Sequence, residues 1–362
     1  MALTRIPAPA IADVREPNFR NIIINGDMAV AQRATSTASI TSNGYHTIDR
    51  WQTNCTAGGT WTQSQDTDVP TGQGFATSIK MDCTTADGSL AAGDRLIIQQ
   101  AIEGQNLQYL KKGTSSAESL TVSFWIKSVK TGTYILELYD NDNTRQISKS
   151  YTVSSASTWE KKTVTFAGDT TGTFGNDNAA SLYLNFWLAA GSTYSGGTLN
   201  TSWAANTNAN RAVGQVNLAD STSNDCWITG IQLEAGSVAT DFEVISFGQN
   251  LLRCQRYFQK IDATGTNTII TTMQAYASDN AVGDLPTLTE LRANPTLSTT
   301  GTFNAWTSDA SNKATGAIAL YSASTTQQGI LFTRASEGTL SAGNASGLYA
   351  GGSATILLSA EL

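Results

Sequence analysis

The stretch that decides the fold is SLYLNFWL, residues 181–188. Successive side chains of a β-strand point to opposite faces of the sheet. One face of this strand is therefore apolar and carries Leu182, Leu184, Phe186 and Leu188. The other face carries Tyr183, Asn185 and Trp187. A strand with one apolar face is typical of antiparallel sheets that cover a core on one side only, so this stretch predicts an all-β protein.

The same alternation recurs in two earlier stretches. In LTVSFWIKS, residues 120–128, the core-facing side chains are Val122, Phe124 and Ile126. Trp125 and Lys127 face the other way. In TYILELYD, residues 133–140, Glu137 also lies opposite a set of alternating apolar side chains. We therefore predict one sheet face that mixes aromatic and polar side chains: Trp125, Lys127, Glu137, Tyr183, Asn185 and Trp187.

Such a face suits a saccharide, because an aromatic ring can take the apolar CH face of a sugar while amides and charges bond its hydroxyls. Two tryptophans left in water would expose a large apolar area, since each offers roughly 150–250 Å². Something is therefore expected to cover them. The alternatives are a glycan, a neighbouring subunit, or a loop of the same chain.

Runs of short strands separated by turns about every ten residues predict a jelly-roll β-sandwich over residues 21–245. Its opening passages are NIIINGDMAVA and HTIDRWQT, which we predict as strands. Residues 246–260 can form a short helix or hinge, capped by Ser246 or Asn250 and with Leu251, Cys254 and Phe258 near one face. A smaller C-terminal β domain is predicted for residues 261–362.

Residues 1–20 are predicted to be an extended arm. Pro7, Pro9 and Pro17 lack amide donors and disfavour a helix. The isolated apolar residues between them cannot bury enough surface to fold alone. The arm would therefore become ordered on another surface, as an attachment segment would. A frayed terminus is the alternative.

The composition excludes several classes of partner. Charged residues make up only 14% of the chain, the net charge is −7, and no cluster of Lys and Arg exists. Binding to nucleic acid needs several phosphate contacts and is not expected. No apolar stretch approaches the roughly 18 residues that span a bilayer, so membrane insertion is not expected. The N-terminus lacks the apolar core of a secretory signal, which indicates synthesis in the cytoplasm without export by the general route.

The cysteines and the histidine give no sign of a metal centre. Cys55, Cys83, Cys226 and Cys254 are not spaced as zinc ligands, and we expect buried, reduced thiols. His46 is the only histidine, and its position beside a turn favours a structural role. No cofactor and no essential metal are therefore expected.

Three passages together resemble a family of bacteriophage tail-fibre and virion structural proteins. The first is the Asn-apolar-Asn-Gly core at 21–26, followed by Gln32-Arg33 and by the Tyr…Asp-Arg-Trp pattern at 45–51. The second is LTVSFWIKS with WEKKTVTFAGDTTGTF after it. The third is ITGIQLEAGSVATDFEV followed by LLRCQRYFQK.

The resemblance implies a non-enzymatic virion protein, made in the host cytoplasm and assembled as a homotrimer. It also implies contact with other virion proteins through the arm and with host surface glycans. One alternative is a polysaccharide depolymerase, for which Glu137 with Glu103 or Glu160 is the best candidate pair of carboxylates. The other alternative is a cellular carbohydrate-binding module.

The sandwich also resembles jelly-roll carbohydrate-binding modules, which often hold a structural calcium ion between the first segment and the last strand. Here Ala29 and either Thr229 or Gly230 occupy the positions where that resemblance would place acidic ligands. Calcium, which takes six to eight oxygen ligands, is therefore not expected there.

Overall fold

The chain forms two compact units, the first ending at Phe247 and the second beginning at Gly248. A computed structural model describes residues 19–265, 268–277, 280–306, 312–334, 340 and 342–362. The described residues are nearly all in β-strands and turns, which confirms the all-β prediction. Residues 1–18, and with them almost all of the predicted arm, lie outside the described residues.

The first unit consists of two antiparallel sheets. Its elements are β1 (Ser36–Ile40), β2 (Gly44–Tyr45), β3 (Gln52–Thr56), β4 (Thr60–Asp66), β5 (Ser78–Thr85), β6 (Arg95–Glu103), β7 (Leu120–Ser128), β8 (Gly132–Asp140), β9 (Arg145–Val153), β10 (Glu160–Phe166), β11 (Ala180–Ala190), α1 (Ser192–Ser195), β12 (Ala204–Ala205) and β13 (Asp225–Ala235). The six-stranded sheet has the order β1-β4-β5-β13-β7-β10. The seven-stranded sheet has the order β12-β9-β8-β11-β6-β3-β2.

The two sheets pack face to face through the side chains that the alternation predicts as core. The ring of Phe124 on β7 lies 5.0 Å from the ring of Phe186 on β11 and 5.1 Å from that of Tyr151 on β9, in edge-to-face contacts. Phe124 and Phe186 are fully buried. Edge-to-face aromatic pairs stabilise a core beyond the area they bury, so this contact helps to fix the two sheets against each other.

The passage at 19–35 contains no strand, so the strand predicted there is wrong. Its backbone is bonded by side chains instead. The Asn25 amide bonds the backbone of Val30 and Asp49, and Asn25 and Met28 adopt left-handed conformations with φ of 58° and 59°. The passage at 46–51 is likewise a turn, and β3 begins only at Gln52. Asparagine side chains that bond nearby backbone compete with strand pairing, which explains the outcome.

The first and third passages of the family resemblance meet in the structure. The Asn21 side chain donates to the Ile231 carbonyl (3.0 Å) and accepts from the Leu233 amide (3.1 Å). The Ile231 amide donates to the Gly26 carbonyl (2.9 Å). A Cβ at Gly26 would lie 2.1 Å from the Ile231 oxygen, so only glycine fits there. The opening segment is thus fastened to β13.

The surroundings of His46 favour the neutral form of its imidazole. Burial lowers the pKa of His46 and Arg33 lowers it further, against a hydrogen bond to the Ser42 backbone that raises it. The Nε2 atom is buried and bonds to none of the described residues.

We therefore expect the free energy of unfolding to fall as the pH drops below about 6.5, the ordinary histidine pKa, because the unfolded chain takes up the proton first. The slope should be at most ~1.4 kcal/mol per pH unit. Urea unfolding between pH 8 and 5 measures it, and His46→Gln should flatten the dependence. An equal slope in both proteins would contradict this account of His46.

The second unit begins with a short helix and continues as β-structure. Its elements are α2 (Phe247–Gln255), β14 (Phe258–Ala263), β15 (Ile269–Ala275), β16 (Asn280–Pro286), β17 (Thr296–Thr300), β18 (Phe303–Trp306), β19 (Asn312–Ala323), β20 (Gln327–Arg334), β21 (Ala345–Ala350) and β22 (Ala354–Ser359). Strands β14, β22 and β17 form one sheet, and β15-β16-β20-β19-β18-β21 close on themselves.

The predicted short helix exists, with two differences. Asn250 lies inside α2, where it is buried, and so does not cap it. Phe258 belongs to β14 and not to the helix. None of the helices within the described ranges is long and apolar enough to cross a membrane.

The four cysteines are buried, as expected, and no two of them are joined in a disulfide. Burial raises the pKa of the Cys55 thiol and of the Cys83 thiol to about 11.

Candidate functional site

The six side chains predicted to share one sheet face lie on two different sheets, so that prediction is wrong. Trp125 and Lys127 are on β7 of the six-stranded sheet. Glu137 on β8 and the remaining three on β11 belong to the seven-stranded sheet. Alternation assigns inward and outward sides correctly, but it cannot say which strands pair. The predicted platform is therefore divided between the two outer surfaces of the sandwich.

On the outer face of the seven-stranded sheet, Glu137 is the centre of a buried polar cluster. The Arg211 guanidinium donates to both carboxylate oxygens, Nε to Oε1 at 2.8 Å and Nη2 to Oε2 at 3.0 Å. Asn185 Nδ2 (2.9 Å) and the Trp187 indole N–H (3.0 Å) donate to the same Oε2. The Glu137 side chain is 0% exposed, so these donors take the place of water around its carboxylate.

Arg211 covers the aromatic side chains of this face. Its guanidinium carbon lies 5.0 Å from the ring centre of Tyr139, 5.2 Å from that of Trp187 and 6.0 Å from that of Tyr194. Burial lowers the pKa of Arg211, but the Glu137 carboxylate outweighs that effect and holds the pKa above its ordinary value. The guanidinium that pairs with Glu137 thus also lies over the aromatic rings of this sheet face.

Trp187 is therefore covered by its own chain. The segment 191–217, which contains α1 and Arg211, lies over it, and the Tyr194 ring packs 5.4 Å away. Trp187 is 0% exposed. Of the three alternatives for its cover, the structure shows the loop. Tyr183 remains half-buried beside Tyr139, at 6.3 Å between ring centres, and burial raises its pKa.

The outer face of the six-stranded sheet carries a second cluster, which we call the tryptophan patch. It consists of Trp125, Lys127, Trp159, Trp227, Lys80 and Asp68. Strand register sets Lys127 opposite Trp227, and Trp227 opposite Lys80. Glu160 pairs with Ile126, so the preceding Trp159 lies level with Lys127. Aromatic and cationic side chains thus alternate across four neighbouring positions of the sheet.

Contacts within this row fix its geometry. The Lys127 ammonium lies 4.2 Å from the Trp227 ring centre and 6.0 Å from that of Trp159. The Lys80 ammonium lies 5.0 Å from the Trp227 ring and 3.2 Å from the Asp225 carboxylate. Trp227 is only 8% exposed, which shows that its ring is largely covered. Trp125 and Trp159 are half-buried and keep part of their rings open.

Trp125 is the least engaged side chain of the patch. The register places it between Lys161 and Thr229. Its indole N–H donates to none of the described residues, and its ring makes no aromatic or cation contact with them. A half-open ring with an unused donor, beside the Lys161 ammonium, can stack on a sugar and bond its hydroxyls.

Sequence reasoning missed two of the three tryptophans of the patch. The signal for Trp227 is present, because Cys226 and Ile228 alternate with it and are buried. Its relevance depends on the pairing of β13 with β7, which spans a long sequence separation. Trp159 precedes β10 and carries no alternation signal of its own.

The carboxylates proposed for a depolymerase are not brought together. Glu137 and Glu160 lie in different sheets. Glu103 is opposite Ala180 on β11, whereas Glu137 is opposite Asn185, five residues further along that strand. Burial raises the pKa of Glu160, but hydrogen bonds from Lys162 and from two backbone amides outweigh it and leave the pKa below its ordinary value.

One carboxyl beside the patch does have a raised pKa. Burial and a hydrogen bond with Asp82 raise the pKa of Asp225. The two side chains are opposite each other on β5 and β13. Glycosidases hold their two carboxyl groups about 5–10 Å apart so that a sugar fits between them, whereas hydrogen-bonded carboxyls are closer. This pair therefore lacks the geometry of a glycosidase site.

The place where the second resemblance would put calcium is filled by side-chain hydroxyls. Thr229 Oγ1 donates to the Thr77 carbonyl at 2.7 Å, and Thr77 Oγ1 donates to the Asp27 carbonyl at 3.1 Å. The Phe75 ring lies against Gly230. Across the described residues, no group of three or more His, Cys, Asp or Glu side chains is arranged to hold a metal ion.

Comparison with known proteins gave no family model and no curated protein that matches the sequence. Among solved structures, partial likenesses include the enzymatically active domain of tailspike protein 4 of bacteriophage CBA120. It has 14% identity and a TM-score of 0.31 over 61% of this chain, which spans 22% of that chain's length.

Two carbohydrate-binding modules are also among the partial likenesses. TmCBM61, solved with β-1,4-galactotriose, has 9% identity and a TM-score of 0.29 and covers 60% of this chain and 99% of its own. The family 11 module of Clostridium thermocellum, solved with a β-1,3-1,4-mixed-linked tetrasaccharide, has 13% identity and a TM-score of 0.27. It covers 57% of this chain and 98% of its own.

Proposed function

We propose that the protein is a non-enzymatic virion subunit of a bacteriophage, a tail fibre or related appendage or decoration protein, that binds host surface glycans through the tryptophan patch. The virion role rests on the three sequence passages that resemble that family. Two of them form one structural unit, because the Asn21–Gly26 segment is fastened to β13.

The glycan role rests on the open ring and unused indole N–H of Trp125. The side chains around Trp125 supply both donors and an acceptor for the hydroxyls of a sugar. Lys127 and Lys161 can donate to hydroxyls, and the half-exposed Asp68 can accept from them. The buried Glu137 cluster cannot bind a sugar in this way, since Arg211 already lies over the rings of Tyr139 and Trp187.

Trp125→Ala should weaken polysaccharide binding tenfold or more, about 1.4 kcal/mol, because aromatic anchors dominate the energy of such contacts. Calorimetric titration with mannan, galactan, alginate and bacterial O-polysaccharide measures it. Tyr321→Ala, which truncates an exposed aromatic side chain of the second unit, is the matched control and should bind as the wild type does. If every polysaccharide that binds does so equally well without Trp125, the patch is not the site.

The absence of enzymatic activity is part of the proposal. It is supported by the separation of Glu137 from Glu103 and Glu160 and by the closeness of Asp82 and Asp225.

Assembly into particles as a homotrimer, through an N-terminal arm, completes the proposal. Deleting residues 2–18 should leave the melting temperature unchanged but abolish incorporation into virions, because the arm contributes attachment and not core. Western blotting of purified particles measures incorporation. Normal incorporation of the truncated chain would rule out an attachment arm.

A further inference from the structure

Asp68 bonds two side chains of the tryptophan patch. It lies two residues beyond the end of β4, on the segment that leads to β5. Its carboxylate is shared between two partners. Oδ1 accepts the Trp159 indole N–H at 2.9 Å, and Oδ2 bonds the Lys127 ammonium. Lys127 in turn lies over the Trp227 ring.

The backbone around Asp68 is itself held in place. Its amide donates to Asp66 Oδ1 at 2.9 Å, and its carbonyl accepts from the Ser78 hydroxyl at 2.7 Å. Asp66 also accepts the Trp227 indole N–H at 3.2 Å. The carboxylate is therefore presented from a braced segment and not from a free loop.

Trp159, in contrast, has few other restraints. It follows residues 154–158, which are all exposed, and its only hydrogen bond with the described residues is the one to Asp68. That bond is therefore the one hydrogen-bond restraint on its ring within the described part of the chain. Lys127 is similar, because Asp68 is the only carboxylate that pairs with it among the described residues.

We infer that Asp68 is the positioning residue of the glycan site, setting the Trp159 ring and the Lys127 ammonium beside Trp125 before a ligand arrives. This inference rests on the proposed function of the patch. Preorganisation of this kind raises affinity by removing the cost of ordering side chains on binding. The Asp68 side chain is 41% exposed, so one carboxylate both orders the site and faces the ligand.

The ionisation of the Asp68 carboxylate is suited to this role. Burial raises its pKa, but the hydrogen bonds from Lys127 and Trp159 outweigh that effect and hold the pKa below its ordinary value. The carboxylate therefore stays ionised throughout the neutral range, and it can accept from both partners at once.

The test is Asp68→Asn, which keeps an oxygen acceptor but loses the charge that pairs with Lys127. The matched control is Asp220→Asn, which removes a similar ion pair with Lys130 elsewhere on the sandwich. Affinity for mannan, galactan, alginate and bacterial O-polysaccharide is measured by calorimetry. The Trp159 indole resonance in a ¹H–¹⁵N spectrum is measured without any ligand.

We expect Asp68→Asn to shift the Trp159 resonance and to weaken binding about tenfold, while Asp220→Asn changes neither. In a Trp159→Ala background, the effect of Asp68→Asn on affinity should shrink by at least half, since coupled residues are not additive. A loss of affinity that is equal in both backgrounds would show that Asp68 does not act through Trp159.

Loss of glycan binding and loss of the Asp68 positioning role give different results. If the wild-type protein binds none of the four polysaccharides, the proposed function is overturned. If it binds and Asp68→Asn binds equally well, the positioning role is overturned and the proposed function stands. An unchanged Trp159 resonance in Asp68→Asn also overturns the positioning role.

Discussion

Glu137→Ala should lower the free energy of unfolding by about 3–5 kcal/mol, because it leaves the Arg211 charge, only 16% exposed, without its partner. The carboxylate accepts four hydrogen bonds, and the side chains of Arg211, Asn185 and Trp187 lose their acceptor together. Urea unfolding measures the change. The segment 191–217 should also become sensitive to protease, since this ion pair holds Arg211 on the sheet.

The double variant Glu137→Leu with Arg211→Leu separates a buried charge from a lost packing contact. Replacing both members of a buried pair by apolar side chains is often close to neutral, so the double variant should recover much of the stability that Glu137→Ala loses. A loss below about 1 kcal/mol for Glu137→Ala would be typical of an exposed ion pair and would contradict the burial of this cluster.

Lys112→Met should lower the free energy of unfolding by a similar amount, about 3–5 kcal/mol. The Lys112 ammonium lies 2.6 Å from Asp140 Oδ2 and 3.2 Å from Asp169 Oδ2, and it donates to the carbonyls of Thr171 (2.8 Å) and Gly172 (2.9 Å). The side chains of Lys112, Asp140 and Asp169 are 5%, 0% and 3% exposed. Methionine keeps the length of the side chain and leaves the buried Asp140 carboxylate without a cation, whereas Asp169 keeps its ion pair with Arg145.

Lys130→Met is the matched control for this substitution. Lys130 pairs with Asp220 at the surface, where the two side chains are 26% and 36% exposed. Exposed pairs contribute about 0–1 kcal/mol, so the control should change stability little. Equal effects of the two substitutions would show that the site around Lys112 is as well solvated as the surface.

The alternation of apolar and polar residues predicts which side chains of a strand face the core. It assigns the buried faces of β7 and β11 correctly, down to Phe124 and Phe186, because side-chain direction is a local property of a strand. Which strands share a sheet is not local. Since β7 pairs with β13 and β11 with β6 and β8, the outward residues of β7 and β11 end on opposite surfaces.

The burial of Trp187 under the segment 191–217 could not be predicted from local patterns either. The partner of Glu137 is Arg211, 74 residues away in a segment with little regular structure. The opening passage at 21–26 has the apolar run of a strand, yet its asparagines bond the backbone and turn it. The first of these contacts joins distant residues, and the second is a local side-chain hydrogen bond that apolar alternation does not reveal.

Glycan binding at the tryptophan patch can be followed through the eight tryptophan indole resonances during a titration with the polysaccharide of the panel that binds best. The resonances of Trp125 and Trp159 should move, and the resonance of Trp187, beneath Arg211, should stay in place. A titration in which Trp187 moves while Trp125 and Trp159 stay fixed would contradict binding at the patch, because the glycan would then lie on the seven-stranded sheet.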